Sequence, residues 1–411
     1  MMDKAHCDIL DRDDPLAPLR DEFQLPEGVI YLNGNSLGPM PKAAAEAVRI
    51  AAEREWGEWL ITSWNRAGWF DLPYKLGAGV AQLIGAEADE VTVSDATGLN
   101  LFKAAAMALS LNPARRVVVM EGSNFPTDNY MVQGLVDFLG RGHQIRFAEK
   151  DEIPAAIDET VAAVVLTHVH YRTAHILDMA AITAKAHEKG ALAVWDLCHS
   201  AGVLDVDLNG AGADLAVGCT YKYLNGGPGS PAFIFVARRH QGKARQPLTG
   251  WWGHDAPFRF ERDYRAKPGV GQTLTGTQAI LSMRAAEAGI GLACRADPKQ
   301  VRRKAAAMGD LFIGLVESLC PGQGFALVSP REAEQRGGHV AFDHAQGYPI
   351  MKALIARGVI GDFRAPSTLR FGFSPLFLRY ADVWKAAESL ADIMAREVWR
   401  EAAYQTVDKV T

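Results

Sequence analysis

Short apolar runs punctuate the middle of the chain, with stretches of helical period between them. Residues 91–93, 116–120, 144–148, 162–167, 191–195, 216–219 and 233–236 read as strands. Several are apolar at every position, the pattern of a strand buried on both faces. Residues 76–84, 99–109, a stretch reaching Phe138, and 178–189 read as helices. This alternation predicts an α/β fold whose mainly parallel sheet is covered by helices on both faces. Upstream, a polar, acidic stretch up to Pro26 reads as an arm or short helix. A short strand at 29–32 then runs into the turn-forming loop 33–39. Residues 42–61 read as an amphipathic helix, with Trp56, Trp59 and Leu60 at helical spacing. After Gly229 come two loops, 248–254 and 271–278, and two helices, 279–292 and 298–319. Strands at 325–328, 339–342, 359–362 and 368–374, with helices at 348–357 and 382–398, complete a smaller α+β unit. The expected division is an N-terminal arm and helix (1–70) serving the active site and the small domain, a large domain (71–285) and a small C-terminal domain (286–411).

In such sheets ligands collect at the carboxyl ends of strands. Thr97, Phe125, Asp128, Thr167, Asp196, His199 and Lys222 all fall at or just after those ends. Seven separate coincidences are less probable than one cleft. Lys222 is placed between two buried strands, at the lip of the turn Asn225-Gly226-Gly227-Pro228-Gly229. Burial disfavours an ammonium, so such a lysine can serve as a nucleophile or Schiff base. A lysine that merely ends a strand fits the same residues.

Composition narrows the classes. The chain has 411 residues, more than one core usually holds. It is 48% hydrophobic and 22% charged, with a net charge of −5 and no long basic run, which argues against a nucleic-acid binder. No apolar run reaches membrane-spanning length, and no basic-then-apolar leader opens the chain. The five cysteines are scattered without a CxxC, so a reducing, cytoplasmic setting is expected. His168, His170 and His175 resemble a metal-ligand spacing but lack regularly spaced partners, and no metal is expected.

A lysine with an upstream aspartate at the neighbouring strand end points to pyridoxal 5'-phosphate. Lys222 would form the Schiff base and Asp196 would hold the pyridine nitrogen protonated. Phe125 would stack on the ring, and Thr97, at a helix N-terminus, would hold the phosphate. In Leu369-Arg370-Phe371-Gly372-Phe373 the period is two. Arg370 therefore opposes an apolar face and can reach the cleft to hold a carboxylate. A solvent-facing edge arginine fits that pattern as well.

Longer stretches carry a family resemblance. They are Tyr31-Leu32-Asn33-Gly34-Asn35-Ser36-Leu37-Gly38, Ser123-Asn124-Phe125-Pro126-Thr127-Asp128, Trp195-Asp196-Leu197-Cys198-His199-Ser200-Ala201-Gly202 and Gly218-Cys219-Thr220-Tyr221-Lys222-Tyr223-Leu224-Asn225-Gly226-Gly227-Pro228-Gly229. With Leu248-Thr249-Gly250-Trp251-Trp252-Gly253-His254 and Arg370-Phe371-Gly372-Phe373-Ser374-Pro375, they make the chain resemble kynureninase nearly end to end. The resemblance implies the fold-type I, aspartate-aminotransferase fold and a homodimer. It also implies cleavage of the Cβ–Cγ bond of L-kynurenine, and of 3-hydroxykynurenine, to L-alanine and anthranilate or 3-hydroxyanthranilate in tryptophan catabolism. By similarity Lys222, Asp196 and Tyr221 are catalytic, with Tyr221 a proton donor or relay. Ala96, Thr97 and Tyr221 surround the phosphate side, Phe125 stacks, and Pro126, Thr127, Asp128, Thr167 and His199 complete the cofactor set. Trp251 and Thr277 would come from the partner subunit. Ser36, Trp64 and Gly276 would touch substrate, and Arg370 would bind its α-carboxylate. Asn33, Ala96, His170 and Ala174 depart from the family pattern. The alternatives are a cysteine desulfurase or selenocysteine lyase using Cys320 as its thiol, and a non-catalytic cofactor-binding regulator.

Overall fold

Residues 4–406 are described by a computed structural model; residues 1–3 and 407–411, the outermost parts of the first and last expected domains, lie outside it. The strand β1 (Ile30–Tyr31) precedes the alternating region. Then β2 (Val91–Val93), β3 (Val117–Glu121), β4 (Gln144–Ala148), β5 (Val161–Thr167), β6 (Leu192–Asp196), β7 (Leu215–Gly218) and β8 (Phe233–Val236) form one sheet, in the order β2-β8-β7-β6-β5-β3-β4. Pairing is parallel from β4 through β7, and β8 runs antiparallel to both β7 and β2. A parallel return needs a crossover of a dozen or more residues, usually helical. The link from Gly218 to Phe233 is taken up by the lysine turn, so β8 comes back antiparallel.

The sheet is buried on both faces, which accounts for its unbroken apolar runs. Val118, Val165, Val194, Val217 and Ile234 pack in one core with Leu101, Ala105 and Met107 of the helix Thr97–Leu111. Their alternate neighbours Val119, Val164, Trp195, Ala216 and Phe233 pack in the other core, which also holds Ile182, Met283 and Ile290. The period of two thus sends successive residues to opposite layers, each fully buried side chain contributing roughly 1.5–3 kcal/mol.

The C-terminal part adds β9 (Ala326–Leu327), β10 (His339–Asp343), β11 (Val359–Ile360), β12 (Asp362–Arg364) and β13 (Thr368–Gly372). Four of these make an antiparallel sheet in the order β12-β13-β10-β9, while β11 pairs in parallel with β1 and ties the N-terminal segment to this layer. Phe371 and Phe373 stand against Phe312 of the helix Pro298–Leu319, with ring centroids 4.7 and 5.6 Å apart. That helix starts where Asp297 caps the Lys299 N–H at 3.0 Å and Pro298 takes a position needing no donor.

Three expectations change. The helix expected over 42–61 is α-helical for Lys42–Ile50 and wider-turned for Ala51–Trp56, and it has ended before Leu60, which sits at φ 51°. The strand expected over 359–362 is two strands broken at Gly361, where the chain leaves β1 for β13. Lys222 does not end a strand: β7 stops at Gly218 and the lysine rides on the turn beyond it.

Candidate active site

The lysine turn is held by its own backbone and by two glycine contacts. The Asn225 N–H donates to Lys222 O at 3.0 Å and the Gly226 N–H to Thr220 O at 2.8 Å. On one side the loop after β1 presses against it, with the Gly38 N–H donating to Tyr221 O at 2.7 Å. A Cβ on Gly38 would lie 2.4 Å from Lys222 O, so only glycine allows this approach. On the other side the helix Ile280–Ala293 meets the turn at Gly289, where a Cβ would lie 2.4 Å from Leu224 O. Lys222 therefore sits on a clamped turn facing a cavity of about 550 Å³.

Strand ends bring the partners. Lys222 Nζ is 3.0 Å from His199 Nε2. Burial, reinforced by the Lys222 charge, holds His199 well below its ordinary pKa, so the imidazole is neutral. Asp196 ends β6, and its Oδ1 accepts the Cys198 N–H at 2.5 Å. Behind it lies Asp128, whose carboxyl is raised well above the usual range by burial and then by the Asp196 charge. Asp128 Oδ2 accepts from Asn124 Nδ2 at 3.2 Å and Thr167 Oγ1 at 3.3 Å. Asp196 and Asp128 both line the cavity.

The opposite chemistry occupies the start of the helix Thr97–Leu111. Its cap residue, Ala96, offers no side-chain acceptor, so the first N–H groups are left for a ligand. Ala96, Thr97 and Gly98 line the cavity there. Asp95, at φ 51°, turns the chain into the helix and is ion-paired with the buried Lys103, which also donates to Thr273 O at 2.7 Å. An uncapped helix start suits a phosphate, and the lysine and the carboxylate suit the aldehyde and pyridine nitrogen of pyridoxal phosphate. The half-exposed Phe125 ring lines the same cavity and is edge-on to Tyr171 at 5.3 Å. These residues fit the cofactor.

Arg370 is fully buried, not at a solvent edge. Its Nε donates to Asp362 Oδ1 at 2.7 Å and its Nη2 to Asp362 Oδ2 at 2.5 Å and to Ser36 Oγ at 3.0 Å. Its Nη1 donates to Tyr171 O. Against its own burial, the Arg370 hydrogen bonds pull the Asp362 carboxyl below its ordinary value.

Of the residues expected at the site, Ser36, Ala96, Thr97, Phe125, Thr127, Asp128, Thr167, Asp196, His199, Tyr221, Lys222, Thr277 and Arg370 line this one cavity. Thr277 does so from its own chain. Pro126, the first residue of the helix Pro126–Leu139, Gly276, Trp64 and Trp251 are not part of its wall. Trp64 packs on Trp252 at 5.0 Å, and Trp251 is exposed and edge-on to Phe258 at 5.7 Å. Cys320 is buried at the end of the helix Pro298–Leu319, and burial pushes its thiol up to about 11, the reverse of an activated thiol. Sequence reasoning missed Asn124, Tyr171, Asp362 and Arg364. The last two stand in the run Gly361-Asp362-Phe363-Arg364, where alternating charges in a short strand were the available signal.

Comparisons with known proteins agree with this arrangement. The profile of the kynureninase C-terminal domain matches residues 301–390. A kynureninase from Burkholderia mallei (strain SAVP1) is 53% identical over 407 residues, covering 98% of each chain. The kynureninase of Pseudomonas fluorescens is 49% identical over 416 residues, covering all of both. Among solved structures, a C-DES mutant with glycine covalently linked to its PLP cofactor superposes with TM-score 0.77 at 16% identity, covering 91% of this chain and 99% of its own. A cysteine desulfurase from Thermococcus onnurineus NA1 gives TM-score 0.75 at 18% identity, covering 93% and 97%. At such identities these two establish the fold alone, that of fold-type I pyridoxal-phosphate enzymes. With half its residues identical to kynureninases over their full length, and lysine, aspartate and arginine gathered in one cavity, the chain belongs to the kynureninase family.

Proposed function

We propose that the chain hydrolyses L-kynurenine to anthranilate and L-alanine. The observation that carries this is the convergence of Lys222, Asp196 and Arg370 on one cavity of about 550 Å³. Bound pyridoxal phosphate supplies an aldehyde that captures amines and a pyridinium ring that draws electrons from the substrate's α- and β-carbons. With the cofactor bound, Lys222 Nζ would hold it and would serve as the base at the substrate's Cα. Asp196, an acceptor at the cavity, would hold the ring nitrogen. Asp128, behind Asp196, is held by Asn124 and Thr167, and burial raises its carboxyl well above the ordinary range. Phe125 would flank the ring, and the uncapped helix start at Thr97 would receive the phosphate. Arg370 and Ser36 orient the α-carboxylate.

Water adds to the γ-carbonyl, the Cβ–Cγ bond breaks, and the water oxygen leaves in the anthranilate carboxylate. Cβ takes a proton and becomes the alanine methyl. Tyr221 is suited to deliver it, because burial raises its phenol well above the ordinary value and keeps the proton on. We also read the chain as one half of a cytoplasmic homodimer. Trp251, Phe258 and Phe260, all exposed on neighbouring loops, support such a contact. Among the described residues no helix is long and apolar enough to cross a membrane. Residues 71–285 and 286–411 are read as the large and small domains, with 1–70 shared between them.

The test mixes purified, cofactor-loaded protein with L-kynurenine and follows anthranilate fluorescence with the cofactor absorbance. Release of anthranilate, undiminished in Cys320→Ala and without sulfide from L-cysteine, is the expected result. An absorbance change with no anthranilate would overturn the reading in favour of a non-catalytic binder.

A further inference from the structure

Two guanidinium groups share one carboxylate at the cavity wall. Asp362 and Arg364 are alternate residues of β12 and so point to one face of the sheet. Arg370 is directly opposite Asp362 on β13. Arg364 Nη2 donates to Asp362 Oδ2 at 2.9 Å and lies 3.4 Å from Ser36 Oγ, the same two side chains that Arg370 uses. Both arginines line the cavity.

The two are not equally committed. A guanidinium carries five N–H donors. Arg370 spends four directions on Asp362, Ser36 and Tyr171 O. Among the described residues only Nη2 of Arg364 is engaged, and its Nε is buried without an acceptor. A buried donor left unmatched is costly, and in functional sites it commonly marks a place for a ligand. The charges agree with this: two cations and one anion leave a net +1, the complement of one carboxylate.

We propose that Arg364 is a second substrate-binding residue, contacting the α-carboxylate together with Arg370. Asp362 acts as a positioning residue that fixes the Arg370 fork and cancels one of the two charges. The proposal rests on the reading of the chain as an L-kynurenine hydrolase. Arg370 alone, with its fork already filled by Asp362, has one N–H left for a ligand. Arg364 supplies the missing donors and the uncancelled charge.

The test compares wild type, Arg364→Met and Arg364→Lys as holoenzymes of matched thermal stability. For Arg364→Met, KM for L-kynurenine is expected to rise about 10- to 100-fold, the loss of one charged hydrogen bond, with kcat changed much less. The L-alanine concentration that half-saturates the cofactor absorbance change should rise in parallel, while inhibition by anthranilate, which lacks the α-carboxylate, stays as in wild type. Arg364→Lys should recover part of the L-alanine affinity. Unchanged KM and unchanged L-alanine binding in Arg364→Met would overturn the proposal. So would weakened anthranilate inhibition with L-alanine binding intact, which would put Arg364 at the aryl end. If wild type bound L-alanine through Arg364 but released no anthranilate, the functional reading would fall and this contact would stand.

Discussion

Lys222 Nζ and His199 Nε2 lie 3.0 Å apart, joining the turn after β7 to the segment after β6. The imidazole is buried and neutral, so it can take part in a hydrogen bond with the amine without competing for cofactor as a second charge. The lysine is thereby aimed into the cavity from both sides, by the clamped turn beneath it and by His199 beside it.

In the proposed scheme Lys222→Ala removes the covalent anchor and the proton carrier together. Turnover of L-kynurenine should fall at least about 1000-fold. Borohydride treatment followed by peptide mass analysis should find the cofactor fixed to the Lys222 peptide in wild type and nowhere in the variant.

His199→Asn keeps a polar group near the amine but not its position. We expect kcat to fall about 10-fold while the acid limb of the kcat–pH curve stays where it is, because His199 is already neutral well below its ordinary pKa. A displaced acid limb would identify His199 as a titrating group in the working pH range.

His168 is fully enclosed beside Trp195, and burial lowers its pKa to about 4 from 6.5. Between those values the unfolded chain binds a proton that the folded one refuses, so stability is lost as pH falls from about 6.5 toward 4. This group alone accounts for about 3 kcal/mol of that loss. Thermal melts at pH 7 and 5 should differ less for His168→Gln than for wild type.

Ala174 sits at φ 64°, in the left-handed region where a Cβ is strained. The family resemblance places glycine at this position. Ala174→Gly should stabilise the fold by up to about 1 kcal/mol, the strain released less the extra freedom of the unfolded glycine. A melting point raised by about 1–2 °C, with KM unchanged, is the expected measurement.

Much of the site was legible because its residues follow strand ends. Thr97, Asp196 and Lys222 could be aligned from the apolar runs before them; β5, β6 and β7 are parallel, and β2 runs the same way because β8 is antiparallel to both β7 and β2, so these strands end at one edge. Asp362 and Arg364 were not legible in this way. They lie on a three-residue strand whose partner, β13, is set by an antiparallel return, and nothing in a local period reveals which charged side chains that return will pair. Trp64 is a residue whose packing the local sequence did not reveal. Its polar neighbours suggest a pocket, and within the chain its ring lies 5.0 Å from that of Trp252.

The sequence by itself determined the α/β alternation, the cofactor chemistry and the family, since these depend on residue type and on periods of two and 3.6. The tertiary structure decided the electrostatics of the site: that burial and Asp196 raise the Asp128 carboxyl, that His199 is held well below its ordinary pKa, and that Arg370 reaches the cavity with Asp362 already bound. Those outcomes depend on burial and on neighbours distant in the chain, and desolvation and Coulomb interactions act through space, not along the sequence.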